Sequence, residues 1–226
     1  MLPDPDRTPA TASADPATAS PSPFFPDGRS MYERMVAGDA YLADDPRLEE
    51  LSTAAALLTE QYNATSVTET ALRRRLLSRL LGSLGEEVVI RPPFHVDYGK
   101  FISIGDRTFA NFGLMVLDVA PVRIGADVQI GTNVQLLTPT HPLEPGPRRD
   151  KWEGAEPITI ADNVWLGGGV IVGPGVTIGE NTVVGAGAVV TRDLPANVVA
   201  LGVPARPVKD LPADPDGGWS RMAVEG

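Results

Sequence analysis

The 226-residue chain holds two histidines, His95 and His141, and no cysteine. An imidazole exchanges its proton near neutral pH, so a histidine can act as base toward an alcohol too weakly acidic to ionise unaided. The missing cysteine removes a thiolate nucleophile, an acyl-cysteine intermediate, a thiolate metal site and a disulfide framework. His141 opens an irregular stretch between Thr138 and Pro157, His141-Pro142-Leu143-Glu144-Pro145-Gly146-Pro147-Arg148-Arg149-Asp150-Lys151-Trp152, with no apolar periodicity. Loops of that length are uncommon in compact domains and usually carry function. His95, in Phe94-His95-Val96-Asp97, reads as structural or peripheral.

The charge balance narrows the partners. With 29 acidic and 19 basic side chains, a net charge of −10, the chain lacks the clustered cations that bind nucleic-acid backbones. A local basic pocket for an anionic cofactor stays open. The first residues lack the basic start and apolar run of a signal peptide, and no stretch has the length to span a bilayer, so the protein reads as cytoplasmic.

Around the loop that opens at His141, the chain organises into four parts. Residues 1–29 are rich in Pro, Ala, Ser, Thr and Asp and read as a disordered tail. Residues 30–85 read as a helical segment. Ser30-Met31-Tyr32-Glu33 and Ser66-Val67-Thr68-Glu69 have the capping-box pattern, and Asp45-Pro46 starts another helix, with Leu48, Leu51, Ala55, Leu58 and Tyr62 at helical spacing. Arg73, Arg74, Arg75 and Arg79 read as a solvated helix face. Residues 86–205 form the repeat domain, interrupted by the loop 138–157, and 206–226 a C-terminal extension.

Within the repeat domain an aliphatic residue followed by Gly or Ala returns every six residues: Ile160-Ala161, Leu166-Gly167, Val172-Gly173, Ile178-Gly179 and Val184-Gly185. Four positions after each stands Val164, Val170, Val176, Thr182 or Ala188, so both positions face one interior. Ile124-Gly125 to Val134 keeps the same register. This period belongs to a solenoid with three short faces per coil, not to an amphipathic helix.

With these elements in place, the chain after Arg29 resembles the maltose and galactoside O-acetyltransferase family, which includes nodulation-factor acetyltransferases. The resemblance rests on Ala37-Gly38 with Tyr41-Leu42-Ala43-Asp44-Asp45-Pro46, then Pro92-Pro93-Phe94 with Asp97-Tyr98-Gly99, Ala110-Asn111-Phe112 and Leu117-Asp118. It continues through Thr140-His141-Pro142-Leu143, Asp162-Asn163-Val164-Trp165, Gly185-Ala186-Gly187 and Gly202-Val203-Pro204-Ala205.

The resemblance implies a mainly β fold, a left-handed parallel β-helix preceded by a small helical segment, assembled as a homotrimer with active sites between subunits. It also implies direct transfer of acetyl from acetyl-CoA, a co-substrate and not a resident cofactor, to a hydroxyl, often of a sugar, with no metal. The carbonic-anhydrase relatives on this solenoid use three histidines, a set this chain lacks.

Residue by residue, the resemblance makes His141 the general base. It sets Asn111 beside the reacting centre, holding the acceptor hydroxyl or donating to the oxyanion; an internal Asn ladder or turn is the alternative. Asp97, Asp118 and Asp44 fall at acceptor positions, Asp44 with helix capping as its alternative. Phe109 replaces a tyrosine of the galactoside branch and Val119 its second acid, so the acceptor's identity does not carry over. Acetyl-CoA would lie beside Gly168 and Ala186, with Thr191, Arg192, Arg206 and Lys209 near its nucleotide, and Trp165 shielding the thioester or stacking against ligand, with core or edge packing as the alternative. Trp152 and Glu153 would close over a neighbouring site, Glu153 orienting His141. A non-sugar acceptor, such as an antibiotic, serine or a secondary metabolite, and a non-catalytic scaffold are the competing readings.

Overall fold

The aliphatic residues spaced six apart build three parallel sheets around one interior. In the computed structural model, which describes residues 27–212, each short strand pairs with its counterpart on the next coil, and each full coil gives one strand to each face. The first face holds Ser83–Leu84, Ile102–Ile104, Val122–Ile124, Ile158–Ile160 and Thr177–Ile178. The second holds Val89–Ile90, Phe109–Ala110, Gln129–Ile130, Trp165–Leu166, Val183–Val184 and Val198–Gly202, and the third Phe94–Val96, Leu114–Leu117, Gln135–Leu137, Ile171–Val172 and Val189–Val190.

The expected inward positions are inward. Leu84, Ile104, Ile124, Ile160 and Ile178 stand in register up the first face, and Ile90, Ala110, Ile130, Leu166, Val184 and Ala200 up the second. Val164, Val170, Val176, Thr182 and Ala188 are buried between them. Each aliphatic side chain so enclosed stabilises the coil by about 1.5–3 kcal/mol relative to exposure. Thr108 and Thr182 occupy valine-like places because their hydroxyls donate to the carbonyls of Gly125 and Pro195, at 2.8 and 2.7 Å.

The corners follow one rule per column. At the first corner Glu87, Arg107, Asp127, Asn163, Asn181 and Asn197 adopt left-handed φ values of 55–59°. There Arg107 grips Asp127 with two bonds of 2.7 Å. Asn163 and then Asn181 each donate to the next asparagine at 2.9 Å. Asn and Asp tolerate this backbone best among residues with a side chain. At the second corner, between the second and third faces, coils touch: a Cβ on Gly131 or Gly167 would stand 2.5 Å from the backbone nitrogen of the coil above.

Helix α1 spans Met31–Ala37, α2 Pro46–Asn63 and α3 Thr70–Leu80. Asp45 caps α2 by accepting from the Arg47 amide at 2.8 Å and also takes the Tyr32 amide at 3.0 Å. Leu48, Ala55 and Tyr62 are buried. Asn63 exchanges two hydrogen bonds with the backbone of Phe94, and the Tyr62 hydroxyl donates to the Ile90 carbonyl, fixing α2 on the first coil.

Two local expectations change. The Glu69 carboxylate does accept from the Ser66 amide at 2.7 Å, but it closes a turn, and α3 begins only at Thr70. Arg73 and Arg74 are not simply solvated: Arg73 donates to Thr65, and Arg74 to the Gly85 carbonyl while pairing with Glu86 at 3.2 Å.

The chain divides into residues 1–30 and 31–226. Of the first unit only 27–30 are described, where Arg29 pairs with Asp27 at 2.8 Å; the rest of the expected tail lies outside the described residues. At the other end Ala205–Asp210 folds back antiparallel on Val198–Gly202, so the stretch from 206 begins inside a strand, and 213–226 lie outside the described residues. No described helix is long and apolar enough to cross a membrane.

Candidate active site

The loop bearing His141 leaves the solenoid at the third corner, between the third and first faces, and is itself structured. Pro139–Thr140 pairs antiparallel with Trp152–Ala155, and a short helix, α4, spans Pro145–Arg149 between them. The same strand pairs on its other edge with Tyr41–Leu42 from the helical segment. The two arms of the loop and a segment about a hundred residues earlier thus make one small sheet, with His141 one residue beyond the Thr140–Gly154 pair. Arg148 donates to the Pro142 and Leu143 carbonyls, both at 2.9 Å, and holds the chain just after His141. His141 itself is exposed, and its ring makes no hydrogen bond within the described chain.

Carboxylates gather beneath this sheet at the same corner. Asp118 has no exposure. One of its oxygens accepts from the amides of Asp97 and Tyr98, at 3.1 and 2.9 Å, and the other from that of Phe101 at 3.2 Å. Burial pushes its carboxyl above the usual range and the backbone amides pull it back. Asp97 rides on the turn that Asp118 holds; burial first, then the charges of Asp118 and Glu153, raise it to about 6. Glu153 accepts from the Tyr41 hydroxyl at 2.7 Å, and Tyr41 is driven well above its ordinary value by burial and that carboxylate. Tyr98, half-buried beside Asp97, is pushed to about 12, by burial first and then by the charge of Asp97. Met35, Tyr41, Leu48 and Val119 form the apolar floor.

Asp44 is exposed in the turn before α2, and the capping there is done by Asp45, so Asp44 keeps its carboxylate free of that duty. Glu153 is engaged with Tyr41 through Oε2. Trp152 stands opposite Leu42. Sequence reasoning missed Tyr41 as a partner of this loop, although its motif had been singled out. Their separation of 112 residues leaves no local signal.

Asn111 is elsewhere, at the second corner, one residue past the Phe109–Ala110 strand. Its Oδ1 accepts from the Phe112 amide at 2.9 Å and from Arg91 at 3.4 Å. Phe112, Thr132, Gly168 and Ala186 follow one another up that corner, two residues past successive strands of the second face. A Cβ at Gly168 would meet the Thr132 hydroxyl at 3.1 Å, so the small residues at Gly168 and Ala186 keep the later coils of this column low. Phe109 and Trp165 share the outward column of the second face with Gln129 between them. Trp165 is 42% exposed, which places it outside the interior. Arg206 and Lys209 lie opposite Leu201 and Val199 at the C-terminal end of that face, whereas Thr191 and Arg192 are exposed at the third corner.

Within one chain, therefore, Asp97, Asp118 and Glu153 lie together at the third corner, where the loop of His141 leaves the solenoid, and Asn111, Gly168 and Ala186 lie along the second. The third face separates the two groups. Among the described residues no group of three or more His, Asp or Glu side chains could hold a metal ion.

A six-residue β-helix with a capping helical segment and a histidine-bearing excursion defines the hexapeptide-repeat acyltransferases. Residues 34–85 match the family described as maltose acetyltransferase hexapeptide capping motif, and residues 157–192 match bacterial transferase hexapeptide, six repeats. A galactoside O-acetyltransferase of Lactococcus lactis is 40% identical over 174 residues, 76% of this chain and 84% of that protein. The structure of a maltose O-acetyltransferase from Clostridium difficile 630 is 40% identical with a TM-score of 0.80, covering 81% of this chain and 98% of that one. A hexapeptide-repeat acetyltransferase from Vibrio cholerae, solved with acetyl coenzyme A, is 38% identical with a TM-score of 0.76, over 81% of this chain and 100% of that one. The chain belongs to the maltose and galactoside O-acetyltransferase family, enzymes that use acetyl-CoA as co-substrate.

Proposed function

We propose that the protein moves acetyl from acetyl-CoA to a hydroxyl of a sugar or sugar-like acceptor by direct attack, in the cytoplasm where that donor is made, as a homotrimer. The observation that carries the reading is the three-stranded sheet, which roots the loop of His141 at the corner where Asp97 lies half-buried beside Asp118 and Glu153. A carboxylate can accept two hydroxyl hydrogen bonds from a polyol, and an adjacent imidazole can take the proton of the attacking hydroxyl. Asp118, with its oxygens committed to backbone amides, supports the turn under Asp97; Asp44 is exposed and free to reach the acceptor.

His141 takes the proton as the acceptor oxygen bonds to the thioester carbon. Asn111 donates to the resulting oxyanion, and His141 returns the proton to the departing thiolate as the carbon–sulfur bond breaks. Asn111 suits a donor role because its Oδ1 is already occupied. A donor aimed at the attacking oxygen would weaken it as a nucleophile, whereas one aimed at the oxyanion stabilises the intermediate. The separation of His141 and Asn111 onto two corners supports a site completed across a subunit boundary. The low column at Gly168 and Ala186 lets pantetheine lie close, Trp165 flanks it, and Arg206, Lys209, Thr191 and Arg192 offer cations and a hydroxyl to the nucleotide phosphates.

The test is acetyl-CoA-dependent thiol release with a panel of mono- and disaccharides, in a protein whose lack of cysteine leaves the thiol reagent no background. Sugar-dependent release should fall by about 10²–10⁴-fold in His141→Ala, the usual contribution of a general base. Full activity in that variant, or accumulation of an acetyl-enzyme, would sink the mechanism. Release only with non-sugar alcohols would move the acceptor to another class.

A further inference from the structure

Arg91 lies one coil below Asn111 at the second corner and packs against two aromatic rings. Its guanidinium carbon stands 4.5 Å from the centre of the Phe112 ring and 5.9 Å from that of Phe109. Its Nη1 donates to Asn111 Oδ1 at 3.4 Å. Packing on the Phe112 ring, with Phe109 near, explains how an exposed arginine keeps one orientation: a planar cation over a ring gains electrostatic and dispersion energy and loses rotamer freedom that the bond then need not remove.

An asparagine amide can present either its oxygen or its nitrogen to a neighbour, and only the partners decide. Here both neighbours are donors, the Phe112 amide and the Arg91 guanidinium. Turning the amide over would set its NH₂ group against two N–H groups, leaving two donors facing a third. With Oδ1 held between the two, Nδ2 is left directed away from them, and it makes no hydrogen bond within the described chain. The Phe112 amide alone would fix the oxygen along one line; the second donor fixes rotation about it.

We propose that Arg91 is a positioning residue for catalysis, orienting the Asn111 amide so that its Nδ2 is preset as a donor to the oxyanion. The proposal rests on the reading of Asn111 as that donor. Preset donors are effective because they need no reorganisation when charge develops, so a freely turning amide stabilises the transition state less while leaving substrate binding intact.

The experiment is a double-mutant cycle of Arg91→Ala and Asn111→Ala, with Arg91→Lys as a second variant, assayed with acetyl-CoA and maltose or a methyl galactoside. Arg91→Ala should lower kcat about tenfold with the KM for acetyl-CoA unchanged, and should cost nothing further in the Asn111→Ala background. Arg91→Lys keeps the charge without the planar stack and should fall between. In ¹H–¹⁵N spectra of the folded variants, the Asn111 side-chain amide pair, identified by its loss in Asn111→Ala, should shift in Arg91→Ala even with no substrate present. An unchanged kcat and unmoved amide resonances in Arg91→Ala overturn the proposal, as does an equal loss in both backgrounds. Full activity in Asn111→Ala instead removes the oxyanion reading on which it stands, so the two failures are told apart.

Discussion

Asp97 is the side chain whose ionisation the site most directly controls. Raised to about 6 by burial and by Asp118 and Glu153, it binds its proton more tightly in the folded protein than in the unfolded chain, where it titrates near 3.8. Its contribution to stability is therefore fully present below the unfolded value and is lost as pH rises through about 6. Asp97→Asn should accordingly raise the melting temperature by a few degrees at pH 7.5 and by little at pH 4, measured as melting curves across pH at fixed protein concentration. The same substitution should weaken acceptor saturation more than acetyl-CoA saturation. Both signs come from one cause, a carboxylate kept partly desolvated where a hydroxyl-rich ligand would meet it.

At the scale of elements, the turn under Asp97 and the hairpin over it are held by polar groups that the sequence does not advertise. Asp118→Ala would leave the Asp97, Tyr98 and Phe101 amides without their acceptor in a buried place. Its expected cost is about 2–4 kcal/mol in urea unfolding, since buried donors left unpaired lose about 1–3 kcal/mol each and part of that loss relaxes. A loss within error would assign the turn's stability to the apolar floor alone. Legibility divides along the same line. The inward residues from Ile160 to Val184 were readable because stacking like on like imposes a spacing of six, whatever the rest of the chain does. Asp45 with Pro46 was readable because capping is local. The Tyr41–Leu42 pairing with Trp152–Ala155 was not, because its short strands have no alternation and their partners are distant. Asp118 showed only a carboxylate next to Leu117; that its oxygens serve backbone amides depends on how one coil sits on another. At Ser66 the local pattern misled, since the same bond that caps a helix can close a turn before one.

At the scale of the whole molecule, the placement of His141 and Asn111 on different corners gives the proposed trimer a direct test. If each site takes its base from one subunit and its oxyanion donor from the next, two inactive variants can complement. Randomly mixed trimers of His141→Ala and Asn111→Ala subunits would hold intact pairs at about a quarter of their sites, from the independent choice of two neighbours. Co-expressed and purified together, they should regain roughly that share of wild-type activity, while each variant alone stays inactive. No recovery in verified mixed trimers would place both residues in a site built by one subunit.

The His141 excursion enters and leaves at a corner, and the ladder closes beneath it: Ile158–Ile160 pairs in register with Val122–Ile124 as though nothing intervened. Insertions at such a point leave the stacking of the coils untouched, because the rod's registration is set by the strands and not by the length of chain between them. The loop that carries the proposed base is thus free to vary in length and composition on an unaltered rod, whereas a single residue gained or lost inside a coil would turn its inward side chains out. Change in this architecture is channelled: the coils stay constant while the excursion can be rewritten.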